Sequence, residues 1–224
     1  MTVKTNAEDF DSGNVAASSS PPYIPLALTA VLIFIVGGLL GFWFGRAQTP
    51  ADDSVEVGFA RDMNIHHEQA VQMAALVYDR TGNEAIRSLA FDILTTQQGQ
   101  IGIMTGWLDA WGLPLTSMGP RMGWMDMPMD GLMPGMATAE QMASLRAATG
   151  VEADTLFLQL MIPHHRSGME MAQYAADRTR IESFHRFTSG MAIAQGNEIT
   201  YMEELLKDIG AAVPPADAGS HNHG

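Results

Sequence analysis

Slid against itself by 98 positions, the chain matches itself over two helical-looking stretches that each carry a histidine pair. "FARDMNIHHEQAVQMAALVYDR" (59–80) falls on "FLQLMIPHHRSGMEMAQYAADR" (157–178). Phe59, Met63, His66, His67, Met73, Ala74, Asp79 and Arg80 meet identical partners at Phe157, Met161, His164, His165, Met171, Ala172, Asp177 and Arg178. The match continues downstream: Gln97, Ile101 and Met104 fall on Gln195, Ile199 and Met202, and Gln100 falls on Glu198. Such a repeat is one supersecondary unit used twice. Each copy reads as a His/Met helix, a short turn and a second long helix. No alternating strand pattern of useful length occurs. The expectation is an all-α four-helix bundle over 57–210, built from a duplicated hairpin with halves 57–112 and 155–210.

A shift of 98 is a whole number of heptads, so the buried seam keeps its register between the halves. In the first helices the seam runs Phe59, Met63, His66, Ala70, Met73, Val77, and its twin runs Phe157, Met161, His164, Gly168, Met171, Ala175. This places His66 and His164 inward and His67 and His165 on the flank. In the second helices Gln97, Gln100, Gln195 and Glu198 occupy mid-seam positions where leucine is normal. A buried polar group without a partner costs about 1–3 kcal/mol. That layer needs mutual hydrogen bonds, water or a metal.

Imidazole suits copper, zinc, iron and nickel, whereas thioether is soft and favours Cu(I). Met63 with His66, and Met161 with His164, are i, i+3 neighbours on one helix face; His67 and His165 stand one residue further on. Met169 follows His165 by one turn. Each half thus offers a Met/His cluster: Met63, His66, His67 and Met161, His164, His165. Met73, Met104, Met171 and Met202 fit core filling equally well, since methionine adapts to irregular gaps. With Met169 and the polar seam residues they form a possible secondary set. Pro163 lacks an N–H and clashes with the carbonyl four residues back, so the helix is expected to start or kink there. A di-iron centre of the ferritin type needs two Glu-x-x-His motifs. Only Glu182–His185 provides one, its counterpart being Glu84–Arg87. No H-E-x-x-H, G-x-S-x-G or phosphate loop is present, and nothing points to an enzyme.

The segment 113–137, "LPLTSMGPRMGWMDMPMDGLMPGMA", holds four prolines, four glycines and seven methionines and is no regular helix. It reads as the crossover between the halves. Met118, Met122, Met125, Met127, Met129, Met133 and Met136 there serve either to capture Cu(I) or to form an apolar lid over the bundle. Before the repeat, 1–22 is a polar, disordered tail and 23–45, "YIPLALTAVLIFIVGGLLGFWFG", an uncharged apolar run that matches a bilayer core of about 30 Å. It reads as a single transmembrane anchor, with 46–56 a linker and 211–224 a second disordered tail holding His221 and His223. A short tail in front and a large acidic domain behind place the bundle outside the cell. The 12 Lys+Arg against 25 Asp+Glu give a net charge of -13, which argues against nucleic-acid binding and suits a cation-attracting surface. The absence of cysteine excludes disulfides and thiolate metal sites.

"FARDMNIHHEQAVQMA", "TQQGQIGIMTGWLDAWG", "MPGMATAEQMASL" and "FLQLMIPHHRSGMEMA" resemble the domain of unknown function 305 family over roughly 57–210. The family is similar to ferritin-like bundles, and its members are exported or membrane-anchored bacterial proteins, some of which bind copper and act in copper resistance. The resemblance implies a copper-handling role for Met63, His66, His67, Met161, His164 and His165. The resulting expectation is a single-pass protein of the bacterial membrane that binds copper, preferably Cu(I), on the extracytoplasmic side. Its role would be sequestration, tolerance or hand-over to an envelope partner. The alternative is a metal-independent helical interaction module of the envelope.

Overall fold

The computed structural model describes residues 1–2, 23–45, 49–117 and 119–216. The chain divides into two compact units, Met1–Gln48 and Thr49–Gly224. The first contains α1, Tyr23–Gly45. Its helical range is that expected of the anchor. Among the described residues no helix is long and apolar enough to cross a membrane. The tail 1–22 lies almost wholly outside the described residues.

In the second unit, α2 (Val55–Tyr78) turns into α3 (Glu84–Ala110), and α5 (Gly150–Arg178) turns into α6 (Glu182–Asp208). The short helix α4 (Ala139–Ala147) precedes α5, and among the described residues no strand forms beyond one isolated bridge, Arg121 to Met129. Local chemistry sets the ends. Ser54 caps α2 by accepting from the Val57 N–H at 3.3 Å, and Asn83 caps α3 through the Ala85 N–H at 3.0 Å. Thr138 and Gln141 close a reciprocal capping box on α4. The hairpins pack α2 on α3 and α5 on α6, and α2 lies against α5.

The apolar interior is split in two. One core joins Ala70, Met73 and Val77 of α2 to Ile86 and Ile93 of α3, Phe157 and Met161 of α5, and Met202 and Leu205 of α6. The other joins Phe59 and Met63 of α2 to Met104 and Leu108 of α3, Met171 and Ala175 of α5, and Phe184 and Met191 of α6. On every long helix the break between the two cores falls at the expected polar positions: 66–67, 97–100, 164–165 and 195–198. The heptad seam of the sequence is the buried seam of the structure.

The crossover is folded onto the helices. Met122 and Met133 are buried and belong to the second core, while Met125, Met129 and Met136 pack against it. Met127 is exposed, at 46% of its free area. Met118 lies outside the described residues. Asp62 of α2 accepts from the Met122 backbone N–H and from Trp124 Nε1–H, both at 2.8 Å. Burial pushes the Asp62 carboxyl above its usual range, and these two donors partly restore it. Arg61 donates to the Pro114 carbonyl at 3.0 Å and to Asp52 at 2.7 Å. Trp124 covers Gly58 so closely that a β-carbon there would lie 2.4 Å from its Cγ. Gly58→Ala is therefore expected to lower the stability of the full chain by about 1–3 kcal/mol, as overpacking does. A reduced denaturation midpoint at unchanged slope would report it.

Three expectations are corrected. α5 begins thirteen residues before Pro163 and runs through it, so the proline does not start the helix. The tail does not begin at 211. Gln159 Nε2–H binds the Ala212 carbonyl at 2.9 Å, Arg166 binds the Pro215 carbonyl at 2.6 Å, and Val213 packs on the first core. His221 and His223 lie outside the described residues. Finally, α2 starts at Val55, inside the expected linker, because the Ser54 cap fixes its first turn.

Candidate metal centre

Four histidines meet in the layer between the two cores. His66 and His164, which the duplication separates by 98 residues, come into ring contact with centroids 3.8 Å apart and planes tilted by 35°. The interface of α2 with α5 creates this contact, since each helix presents the same seam position to the other. His165 lies beside them, its ring 6.2 Å from that of His164. His67 and His165, expected on the flank, are as completely enclosed as the seam pair: none of the four exceeds 1% exposure. Each flank ring reaches across its own hairpin. His67 Nε2 pairs with Gln100 Oε1 at 2.7 Å, and His165 Nε2 pairs with Glu198 Oε2 at 2.7 Å. The repeat is thus reproduced as geometry, with an amide on one side and a carboxylate on the other.

Seven further buried polar atoms of the layer have no hydrogen-bond partner among the described residues. They are both ring nitrogens of His66, Nδ1 of His67, Nε2 of His164, Nδ1 of His165, and the Oε1 atoms of Gln97 and Gln195. Each unmet buried group costs about 1–3 kcal/mol, so a layer of this size is a large local liability. Protonation cannot relieve it. Burial lowers His66 and His67 to about 3, with neighbouring imidazoles pushing the same way. His164 is driven well below its ordinary value by burial and by the charges that His66, His165 and His67 would carry. His66, His67 and His164 are therefore neutral at physiological pH, with lone pairs free to bind a Lewis acid.

Room has been made for this layer. A β-carbon at Gly168 would lie 2.4 Å from Gln195 Oε1, so the glycine admits the glutamine amide to the interior. Met63 and Met161 are fully buried one turn before the seam histidines, in the second and the first core respectively. Of the secondary set, Met73, Met104, Met171 and Met202 are core residues. Met169 is half-buried, packed on the second core, and would lie 3.5 Å from a β-carbon at Gly196. Among the described residues no group of three or more His, Cys, Asp or Glu side chains stands ready to hold a metal. A metal here would draw on the imidazole and amide donors of the layer, with the Met63 and Met161 thioethers one helical turn away in the adjoining cores.

Three residues around the layer escaped the sequence reading: Asp62, Gln69 and Gly135. The signal was present as a departure from the repeat. The twin of Asp62 is Leu160 and the twin of Gln69 is Ser167. Positions where a duplicated unit changes chemistry are where something outside the duplication docks, and here that is the crossover.

The family described as "Domain of unknown function (DUF305)" matches residues 56–206. Comparison with curated protein sequences gives no match. Among solved structures, a DUF305 protein of Streptomyces coelicolor is 45% identical, covers 74% of this chain and 99% of its own, and superposes with a TM-score of 0.70. A DUF305 fragment from Deinococcus radiodurans is 30% identical, with 69% and 96% covered and a TM-score of 0.57. CopM in its Cu(II)-bound form is 24% identical, with 69% and 97% covered and a TM-score of 0.55. At that identity the likeness to CopM is one of fold.

Proposed function

The chain belongs to the DUF305 family, and from that premise we propose that it is a copper-binding protein whose cargo is held between the two hairpins of a ferritin-like four-helix bundle. One observation carries the reading: four buried imidazoles converge in one layer, with five ring nitrogens unpartnered among the described residues. His66, His67, His164 and His165 would supply imidazole, and Met63 and Met161 thioether. Imidazole with thioether is a borderline-soft set, which favours Cu(I) over hard cations. Thioethers do not titrate, and rings held to about 3 carry no proton for the metal to displace until the solution is strongly acid. Binding is then nearly independent of pH over the neutral range. CopM, which shares the fold, has been solved with Cu(I) as well as Cu(II), and this supports the choice of metal.

The role that fits is sequestration or hand-over. The four imidazoles are at most 1% exposed, which suits holding an ion. The uncharged sequence of α1, with the acidic domain behind it, supports a single-pass anchor that holds the bundle on the extracytoplasmic side of a bacterial membrane. The -13 net charge would gather cations there.

Anaerobic titration with Cu(I) against a competing chelator tests the proposal. The expected result is sub-micromolar affinity with saturation at a small whole number of ions per chain. Micromolar or weaker affinity would leave the metal-independent module, in which the His67–Gln100 and His165–Glu198 hydrogen bonds serve only to register the hairpins.

A further inference from the structure

A site whose ligands are at most 1% exposed needs a way in, and the structure shows which element covers it. The end of the crossover, Met133 to Ala137, lies between α2 and α5 over the His66–His164 contact. Gly135 adopts φ +74 and passes so close to α5 that a β-carbon would lie 2.4 Å from the Pro163 carbonyl and 2.9 Å from Ser167 Cβ. The Pro134 backbone lies near enough to the His66 imidazole to act on its charge, without a formed hydrogen bond. Met133 is buried and Met136 half-buried. One side chain ties this stretch down. Gln69 of α2 donates to the Ala137 carbonyl at 2.9 Å and accepts from the Ala137 N–H at 2.7 Å. The amide thus imitates a strand partner and satisfies both backbone groups of a loop residue. Upstream, Asp62 holds Met122 and Trp124, and Met122 and Asp126 sit at φ 60 and 58. That left-handed conformation costs non-glycine residues about 1 kcal/mol or more each. The stretch between the two ties therefore hangs from a strained turn at one end and an amide pair at the other.

We propose that Met133–Ala137 is the gate of the imidazole layer and that Gln69 is its latch. A soft cation reaches His66 and His164 when the Gln69–Ala137 pair opens and Gly135 lifts from Pro163, and it leaves by the same route past the Met133 and Met136 thioethers. Gly135 is required because any side chain there meets the Pro163 carbonyl. Gln69 is required because its twin, Ser167, is too short to bridge to the loop. The gate rests on the copper reading for its cargo, but its motion can be read without metal.

The test uses Gln69→Leu and Gly135→Ala in the full chain. Diethyl pyrocarbonate modification, followed by peptide mapping in the absence of metal, reports access to His66 and His164. Stopped-flow transfer of Cu(I) from a chelator reports loading. Modification of both histidines should rise tenfold or more in each variant while the helical circular dichroism is retained. Cu(I) loading and release should accelerate together, with equilibrium affinity changed less than threefold. Histidines as protected as in the wild type in both folded variants would overturn the gate. Increased modification with no Cu(I) bound by any form would keep the gate and overturn its cargo. Should Gly135→Ala fail to fold, Gln69→Leu alone decides, because it removes two hydrogen bonds without adding a clash.

Discussion

Replacing His66 and His164 together by leucine is expected to weaken Cu(I) binding at least ~100-fold while making the metal-free protein more stable. The two effects have one cause. In the metal-free state both rings of His66 and His164 are buried, and three of their four nitrogens lack a partner. Substituting apolar groups of similar size removes unmet polar atoms, and such replacements are neutral or stabilising. A gain of about 1–3 kcal/mol is the scale for relieving one such group. The same change deletes two imidazole donors, and loss of ~100-fold in affinity corresponds to about 2.7 kcal/mol, modest for a ligand pair. Chelator competition and denaturant melts on the same preparation read both. A variant that binds Cu(I) like the wild type would move the metal elsewhere. A variant that loses stability would show that these rings hold the fold together and favour the metal-independent module.

The metal-free chain is expected to lose stability steeply as the pH falls from about 6.5 toward 3. His66 and His67 titrate near their ordinary 6.5 when unfolded but at about 3 when folded, and His164 is lowered in the same direction. Below 6.5 the unfolded chain therefore binds more protons, and stability rises with pH. The full contribution is present above 6.5 and is eroded as the pH drops through the window to about 3. Each histidine contributes a slope of about 1.4 kcal/mol per pH unit, and the three titrate as a coupled set. Asp62 opposes them, because its carboxyl is raised by burial and the folded state takes that proton more readily. Denaturation midpoints measured from pH 7 to 4 should fall in the metal-free protein and flatten in the His66→Leu/His164→Leu variant. Saturating Cu(I) should also hold them up, since a ligand that binds only the folded state stabilises it. Equal acid sensitivity in the double variant would place the titrating groups outside the layer.

The helices and their buried faces were legible because a hairpin repeated at an offset of 98 residues shows its own heptad register. Phe59, Met63, His66, Ala70, Met73 and Val77 are all enclosed, as are their twins, and the polar layer fell where Gln97 and Gln195 broke the apolar seam. Less legible was the crossover. Its Gly/Pro composition correctly denied it a regular helix but gave no hint that Met122 and Met133 complete a core. A loop has no period, so nothing local says which of its methionines face inward. The flank assignment of His67 and His165 failed for a related reason. Heptad position gives an angle around one helix, and burial depends on what else packs there: Gln100, Glu198 and the opposing hairpin close over those rings.

By itself the sequence determined the repeat, the helical register and the donor types, because each is a property of one helix and its periodicity. Only the tertiary structure decided that His66 and His164 stack at 3.8 Å, that Asp62 and Gln69 seize the crossover, and that Gly135 seats it on Pro163. Those contacts join residues 28 to 98 positions apart, through packing between helices and a loop whose placement depends on shape complementarity rather than on any period in the chain. The duplication made two like halves; the single crossover laid across them is what makes the assembled site asymmetric and closed.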